Sequence, residues 1–287
     1  MKILKQTTFR YALVLLTLVS GTFSYTQNTP NILDGVYVKE HTPTRKVISY
    51  PHLREADVMW AMRVWRVLDM KEKMNHPLYY PIEPINNRKS LFDVIKIGLE
   101  EGTITAYGNP AIDDEFKTPL TKAEAKALLA EYQKIFREDL NTGELFEDST
   151  LVEVTSRDIK RYWIKEDWFF DKQRSVLDVR IIGIAPLREK LEDDGVTVRG
   201  YLPMFWIYFP EARYVFANYD VFNRFNDAER RTFEDIFWKR IFSSYIRKVS
   251  NVYERYFVNY LTPWEQMLES EKVKEDIFVF EHDLWEF

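Results

Sequence analysis

The feature that most constrains the fold is a series of strand-like segments in the middle of the chain. Residues 175–186, SVLDVRIIGIAP, place Leu177, Val179 and Ile181 on one side and charged residues between them. This period-two alternation is typical of a half-buried strand. The preceding segments LVEVTS and KRYWIKEDWFFD also have strand-like content. The middle of the chain is therefore predicted to build a sheet.

A further strand candidate follows in VRGYLPMFWIYFP, residues 198–210. The segment is almost continuously apolar, which predicts a strand buried on both faces. Proline has no backbone N–H to donate to a neighbouring strand, so Pro203 predicts an edge position or a bulge.

Helix signals lie on the N-terminal side of this region. Ser90 followed by Asp93 forms a capping pattern, and Gly102 is a natural stop. Thr121 and Glu124 form a second capping box. The apolar residues behind that box recur at helical spacing and predict one amphipathic helix ending near residues 141–143: Ala123, Ala127, Leu128, Tyr132, Ile135 and Phe136.

Helix signals return on the C-terminal side. Asp227 is a candidate N-cap for a helix whose apolar stripe contains Phe233, Ile236, Phe237, Ile241 and Phe242. Thr262, Pro263 and Glu265 together mark the start of a last helix. Helices on both sides of a β-rich middle predict an α+β fold with a mostly antiparallel or mixed sheet.

The segment DVMWAMRVWRVLDMKEKMNHPLYYP, residues 57–81, is rich in tryptophan, methionine and basic residues. Pro51 suits a helix start, and the prolines from Pro77 onward would end the helix. At 100° per residue, one side of this predicted helix carries Val58, Ala61, Val64, Trp65 and Leu68. The other side carries Arg63, Arg66, Asp69 and Lys73 with Met59, Met62 and Met70. Methionine-bearing surfaces suit protein contacts, so we expect partner contacts at Met59, Met62, Arg63, Arg66 and Met70.

The central segment KRYWIKEDWFFDKQR interleaves Trp163 and Trp168 with charges. Such aromatic residues could stack on sugars or contact another protein, or they could form the buried face of a strand. We include Trp163 and Trp168 among the expected partner-contact residues.

The two ends of the chain predict export and a divided organisation. Residues 1–27 carry Lys2, Lys5 and Arg10, then the apolar run YALVLLTLV, then small residues, which is the pattern of a secretory signal peptide. Residues 28–50 predict an extended N-terminal arm, 51–261 an α+β core and 262–287 a C-terminal helical segment.

Charge and cysteine content exclude several classes of function. Removal of residues 1–27 would shift the formal net charge from −5 to −8, which disfavours nucleic acid and anionic lipid surfaces as partners. The chain has no cysteine, so disulfides, thiolate metal sites, a catalytic thiol and a lipid-modified cysteine are excluded. No segment after residue 27 is long and apolar enough to predict a membrane span.

Motifs for catalysis and cofactor binding are also missing. The sequence contains no G-x-G, G-K-[ST] or G-x-S-x-G pattern, and its four histidines form no H-E-x-x-H motif. His52 and Glu55 are a weak metal-binding pair, because a catalytic metal needs about three protein ligands. The acidic pairs 113–114, 166–167 and 193–194 are typical of charged loops. We therefore expect no catalytic residue, no cofactor and no metal.

Several stretches together resemble the GldN/PorN family of Bacteroidota gliding-motility and type IX secretion proteins. They include ADVMWAMRVWRVLDMKEKMNHPLYYP, RKSLFDVI, GTITAYGN, SRDIKRYWIKEDWFFDKQRSVLDVRIIGIAP, DAERRTFEDIFWKRIFSSYIRK and SNVYERYF. The similarity covers roughly residues 31–257, and the long central stretch is its most specific part.

The resemblance implies a non-enzymatic periplasmic protein on the inner face of the outer membrane. It implies a ring with an outer-membrane lipoprotein of the GldK/PorK type and contact with the periplasmic part of an inner-membrane motor protein of the GldM/PorM type. The alternative from the residues themselves is a secreted carbohydrate-binding protein or glycoside hydrolase of the cell envelope, with Trp163, Trp168 and Glu166 as its candidate residues.

Overall fold

The computed structural model describes residues 45–85, 88–138, 145–192, 197–223, 225–226 and 228–284. The predicted signal peptide and residues 28–44 of the predicted arm lie outside the described residues. Among the described helices, none combines the length and apolarity needed to cross a bilayer.

Eleven strands and six helices occur in the described residues. Their order is β1 (Val58–Asp69), α1 (His76–Tyr79), α2 (Leu91–Glu101), β2 (Ala106–Tyr107), α3 (Lys122–Leu128), β3 (Ala130–Glu138), β4 (Leu145–Glu153), β5 (Ile159–Asp171), β6 (Val176–Leu191), β7 (Val198–Pro203), β8 (Trp206–Tyr208), α4 (Phe209–Phe216), β9 (Asp220–Val221), β10 (Arg231–Thr232), α5 (Phe233–Trp238), β11 (Tyr245–Val249) and α6 (Pro263–Asp283).

One seven-stranded sheet organises the fold. Its strand order is β11-β1-β5-β6-β8-β2, and β7 pairs with the C-terminal part of β6. Every pairing between its strands is antiparallel. Two small antiparallel pairs, β9 with β10 and β3 with β4, complete the strands. The fold is α+β with an antiparallel sheet, as the sequence predicted.

We call the side of the sheet that α2, α4 and α5 cover the helix face. Its main core joins buried residues of the sheet, such as Leu68, Tyr162 and Ile164, to those of the helices. Phe92 of α2, Phe216 of α4 and Phe233 and Phe237 of α5 are almost completely buried there. Burial of each such aromatic side chain contributes on the order of 2 kcal/mol.

A second, smaller cluster lies further along the same face. Cross-strand partners share a face, and the partners along β1 and β5 run from Leu68 and Tyr162 to Met62 and Trp168. Near Met62 the covering element is α6, whose Val273 and Ile277 pack with Val64, Ile246 and Phe257. Helix α6 therefore covers the part of the helix face that the other helices leave open.

We call the opposite side of the sheet the loop face. The loop of residues 108–119 lies over it, and the ring of Phe116 packs against Gly183 of β6, Trp206 of β8 and Lys165 of β5. A Cβ at Gly183 would fall 2.9 Å from Cε1 of Phe116, so the close approach of this loop requires glycine.

The prediction of a helix in residues 57–81 is wrong, because Val58–Asp69 forms β1. The apolar residues of the segment fit the two-residue repeat of a strand as well as the 3.6-residue repeat of a helix. Its valines and tryptophans favour strands. Eleven residues of β1 pair with β5, and β11 pairs along its other edge. Burial alternates along the first six residues and is then continuous, because both faces of the strand are covered at that end.

The helix predicted behind Thr121 is also too long. Its capping box is present, but α3 ends at Leu128, and residues 130–138 form β3. Nine residue pairs join β3 to β4, from Ala130 with Glu153 to Glu138 with Leu145. Antiparallel pairing satisfies the backbone groups of both strands, and this tertiary pairing overrides the helical spacing of the apolar residues.

Two further predictions on the C-terminal side need correction. The continuous buried strand predicted at residues 198–210 is divided in two: β7 is a partly exposed edge strand that ends at Pro203, and β8 is buried. The edge position of Pro203 is confirmed. Helix α5 begins at Phe233 with Thr232 as its N-cap, and not near Asp227.

The other capping predictions are confirmed. Ser90 and Asp93 form a reciprocal capping box at the start of α2, and Gly102 ends that helix with a φ of 77°. Thr262 and Glu265 cap α6, with Pro263 at its first position. Local hydrogen-bonding chemistry fixes these helix starts.

Candidate functional site

The seven residues predicted to contact a partner do not share one surface. On β1, Met59 and Arg63 are exposed, whereas Arg66 is 6 % exposed and Met70, just after the strand, is 3 % exposed in the main core. Met62 is half-buried against the cluster under α6. Because alternate residues of a strand point to opposite faces, the grouping expected for a helix does not hold.

The two tryptophans of β5 also lie on opposite faces. Trp163 is half-buried on the loop face, where the guanidinium of Arg247 lies 3.6 Å from its ring centroid. Trp168 is half-buried on the helix face and packs against the cluster under α6. Neither is a fully exposed aromatic side chain of the kind that stacks on sugars or bases.

A buried ion cluster centred on Glu166 occupies the helix face between the main core and the α6 cluster. Glu166 is fully buried, and Arg66 donates from Nε to its Oε2 at 3.0 Å. Arg240 donates from Nη2 to both of its carboxylate oxygens, at 2.9 and 3.1 Å. The indole N–H of Trp168 donates to Oε2 at 3.0 Å. A buried carboxylate is stable only when it is paired in this way.

The two arginines compete for one carboxylate. Burial lowers the pKa of the Arg66 guanidinium; Glu166 opposes this shift, and the like charge of Arg240 adds to it. Nη1 of Arg66 also approaches the Ser244 hydroxyl at a long 3.5 Å, and its guanidinium lies 5.7 Å from the ring centroid of Trp168. Arg66 and Arg240 therefore share the single carboxylate of Glu166, and the Glu271 carboxylate also acts to raise the pKa of Arg66.

Arg240 reaches the cluster from an unusual backbone position. It follows α5 with a φ of 53°, in the left-handed region that residues other than glycine rarely occupy. Its guanidinium lies 5.1 Å from the ring centroids of both Trp168 and Phe242. No motif in the sequence marked Arg240, because its role depends on a turn that brings it to a strand 74 residues away.

A groove of about 410 Å³ opens directly beside the ion cluster. Strands β1 and β5 form its floor, the segment between α5 and β11 forms one wall and the C-terminal half of α6 forms the other. The groove is lined by Arg66, Met74, Trp168, Arg240, Phe242, Ser243, Ser244, Lys274, Ile277, Phe278 and Glu281. It combines an apolar surface with the exposed part of Arg240.

Two buried lysines hold the loops on the loop face, and the sequence did not indicate them. Lys165 donates to the backbone carbonyl and the carboxylate of Asp114, and Lys248 pairs with Glu254. The ring of Trp65 lies between them, with Nζ of Lys165 at 5.6 Å and Nζ of Lys248 at 4.1 Å from its centroid. These pairs fix residues 108–119 and 250–256 on the sheet and have a structural role.

The described end of the N-terminal arm lies against α4 and α5. Arg45 pairs with Asp235 at 2.6 Å, and the guanidinium of Arg213 lies 4.1 Å from the Tyr50 ring and donates to the carbonyl of Ile48. Burial raises the pKa of the Tyr50 hydroxyl. Residues 45–51 therefore belong to the folded body of the protein.

The two acidic pairs among the described residues make structural contacts. Glu166 binds the two arginines, whereas Asp167 points to the opposite face and pairs with Arg63 at 2.6 Å. Asp113 accepts the backbone N–H groups of Glu115 and Thr118. The pair at residues 193–194 lies outside the described residues. Within the part of the chain that the structure describes, no group of three acidic or histidine side chains could hold a metal ion.

The family model described as "Gliding motility associated protein GldN" matches residues 53–286, which include every strand and helix described above. The match extends across the last helix, α6, and across every residue that lines the groove. The search among curated proteins returned no match.

Proposed function

This chain belongs to the GldN family of gliding motility associated proteins, and we propose on that premise that it works by binding other subunits of the machinery and not by catalysis. The family is a structural component of gliding motility and type IX secretion. The absence of catalytic motifs from the sequence and the structural use of Glu166 support a binding role.

We propose specific partners on the basis of family membership. They are an outer-membrane lipoprotein of the GldK/PorK type, which would form a ring with this chain, and the periplasmic part of a motor protein of the GldM/PorM type. The secretory pattern of residues 1–27 supports a position in the periplasm, at the inner face of the outer membrane and held there by the lipoprotein.

The observation that carries the binding role is the outer face of α6. The helix buries one stripe through Ser270, Val273 and Ile277. Its opposite side exposes Trp264, which is 73 % exposed, with Leu268 and Val279, and its flanks expose Met267 and Phe278. Exposed apolar side chains concentrated on one surface mark protein contact sites.

A second proposed contact surface is the exposed part of β1, formed by Met59 and Arg63. It retains two of the seven residues that the sequence predicted for this role. Met70 and the buried parts of Met62 and Trp163 would act on a partner only indirectly, by fixing the sheet beneath.

The function is tested by co-purification from solubilised cell envelopes. A tagged chain is expected to recover the lipoprotein and the motor protein, identified by mass spectrometry. Recovery of neither protein, from cells in which both are present, would contradict the proposed function.

The contact surfaces are tested by variants in the same experiment. Trp264→Glu combined with Leu268→Glu is expected to lose at least one partner, because a carboxylate cannot be buried unpaired in an apolar interface. Arg63→Glu tests the β1 surface. Tyr214→Glu, at an exposed aromatic of α4, is the matched control. If the folded α6 double variant recovers every partner at the yield of the control, the assignment of α6 is wrong.

A further inference from the structure

The charge balance beside the groove leaves a guanidinium without a full partner. Glu166 carries a single negative charge, and both Arg66 and Arg240 are bound to it. Arg66 is 6 % exposed, so water cannot solvate it fully. The side chain of Arg240 is 25 % exposed and lines the groove. An anion in the groove would give Arg240 a second acceptor besides the carboxylate that it shares with Arg66.

The other charged groups of the groove lie on α6. Lys274 pairs with Glu271 at 2.7 Å, and Glu271 also acts to raise the pKa of Arg66. Glu281 is exposed to solvent in the same wall, farther towards the end of the helix. The arginine pair therefore faces the groove as its positive centre.

The backbone around Arg240 supports a binding role. A left-handed backbone at a residue other than glycine is energetically costly, and such residues are concentrated at ligand sites. At Arg240 this conformation directs the guanidinium towards Glu166 at the edge of the groove. The hydroxyl-bearing Ser243 and Ser244 follow in the same wall.

We propose that this groove binds an acidic side chain of another protein, a glutamate or aspartate that is flanked by an apolar residue. The carboxylate accepts hydrogen bonds from Arg240, and the flanking side chain packs on Trp168, Phe242 and Phe278. Arginine presents paired N–H donors that match the geometry of a carboxylate.

Size and charge favour a peptide carboxylate over other anions. One carboxylate matches the paired N–H donors of Arg240, whereas a phosphate dianion would bring two negative charges close to Glu166 and Glu281. A volume of about 410 Å³ accommodates a few side chains but no folded domain. The apolar walls would contribute little to an inorganic anion and stabilise a bound aromatic or aliphatic side chain.

This inference rests on the proposed function for the source of the peptide, a subunit that the chain binds. Its chemistry is independent of the identity of that subunit. A test with synthetic peptides therefore separates failure of the groove from failure of the envelope partners.

The test measures binding of two acetylated, amidated tripeptides to the purified chain. One tripeptide is Phe-Glu-Phe and its control is Phe-Gln-Phe, which differs only in charge. The indole N–H of Trp168 is the reporter, followed by ¹⁵N NMR, because it donates to Glu166 and its ring lines the groove. We expect the glutamate peptide to shift this resonance and to bind at least about tenfold more tightly than its control.

Variants locate the binding site. Arg240→Gln should weaken the glutamate peptide at least about tenfold while the fold is retained, since Arg66 still pairs with Glu166. Arg174→Gln, at an arginine that pairs with Asp171 and Asp178 in the β5–β6 turn, is the matched control and should bind as the parent does.

Three results would overturn the proposal. They are equal affinity for the two tripeptides, no shift of the Trp168 resonance at millimolar peptide, and unchanged binding in Arg240→Gln. If inorganic phosphate displaces the glutamate peptide at a lower concentration than acetate does, the groove is a phosphate site instead.

Discussion

Arg240 and Glu166 are joined by two hydrogen bonds, from Nη2 to both carboxylate oxygens, although they lie 74 residues apart in the chain. The contact fastens the turn after α5 to the centre of β5. It also lies between the two hydrophobic clusters of the helix face, so the main core and the cluster under α6 meet at a buried ion cluster and not at an apolar contact.

The first prediction concerns this ion cluster. Glu166→Gln should lower the free energy of unfolding by about 3–5 kcal/mol, because it leaves two arginines without a counter-charge in a buried site. Urea denaturation followed by tryptophan fluorescence measures the change.

Asp167→Asn is the matched control for Glu166→Gln. It removes the neighbouring carboxylate, whose pair with Arg63 is partly exposed, and should cost about 1 kcal/mol or less. Equal losses in the two variants would show that the ion cluster contributes no more than a surface pair.

The second prediction concerns the edge of the sheet at β11. The hydroxyl of Ser270 accepts the backbone N–H of Ile246 at 2.8 Å, and both groups are buried. Ser270→Ala leaves that N–H unsatisfied and should cost about 1–3 kcal/mol. The slowest-exchanging amides of β11 should lose protection against hydrogen exchange.

Ser250→Ala, at an exposed serine, is the control for this experiment. It should change the free energy of unfolding by less than about 0.5 kcal/mol. Unchanged protection at Ile246 in Ser270→Ala would mean that another group satisfies the N–H.

The third prediction concerns the loop face. In Gly183→Ala the new methyl group meets the ring of Phe116 and lies 3.2 Å from Trp206, so the loop of residues 108–119 has to move. We expect a loss of about 1–3 kcal/mol in the free energy of unfolding. A shift in the tryptophan emission is also expected, because Asp114 of this loop bonds the Trp65 indole.

Gly200→Ala is the matched control, since no atom lies within 4 Å of a Cβ at that position in β7. It should be neutral or slightly stabilising, because alanine loses less backbone entropy than glycine on folding. Equal effects of the two substitutions would contradict the close packing of Phe116 on the sheet.

The fourth prediction concerns pH and the start of α6. Hydrogen bonds from the backbone N–H and the hydroxyl of Thr262 lower the pKa of Glu265. A carboxyl group with a lowered folded-state pKa stabilises the protein fully above its unfolded pKa, about 4.3, and this contribution is lost as the pH falls through the folded pKa.

The difference in unfolding free energy between the parent and Glu265→Gln should accordingly be constant above about pH 5 and decrease below the unfolded pKa. Glu124→Gln should give a curve of the same shape, because Thr121 lowers the pKa of Glu124 in the same way. A difference that does not change between pH 7 and pH 3 would contradict the capping role.

The candidate site was only partly predictable from the sequence. Arg66, Trp168 and Glu166 were singled out, but for a helical surface or for sugar chemistry. Arg240, Lys165 and Lys248 carry no motif, and each acts through a contact with a residue distant in the chain. Such contacts depend on the register of the strands and the path of the loops, which cannot be read from local sequence patterns.

The sequence by itself determined the α+β class, the presence of strands in the middle of the chain, the family resemblance and the capped starts of α2, α3 and α6. The caps and strands follow from local chemistry, namely hydrogen bonds within four residues and alternation along one strand. The resemblance follows from sequence stretches that are specific to the family. Only the tertiary structure decided that residues 58–69 and 130–138 are strands. The spacing of their apolar residues fits a helix as well as a strand, and pairing with β5, β11 and β4 selects the strand. The tertiary structure also brought two arginines to one buried carboxylate beside a groove. This arrangement exists only when three separate segments of the chain meet.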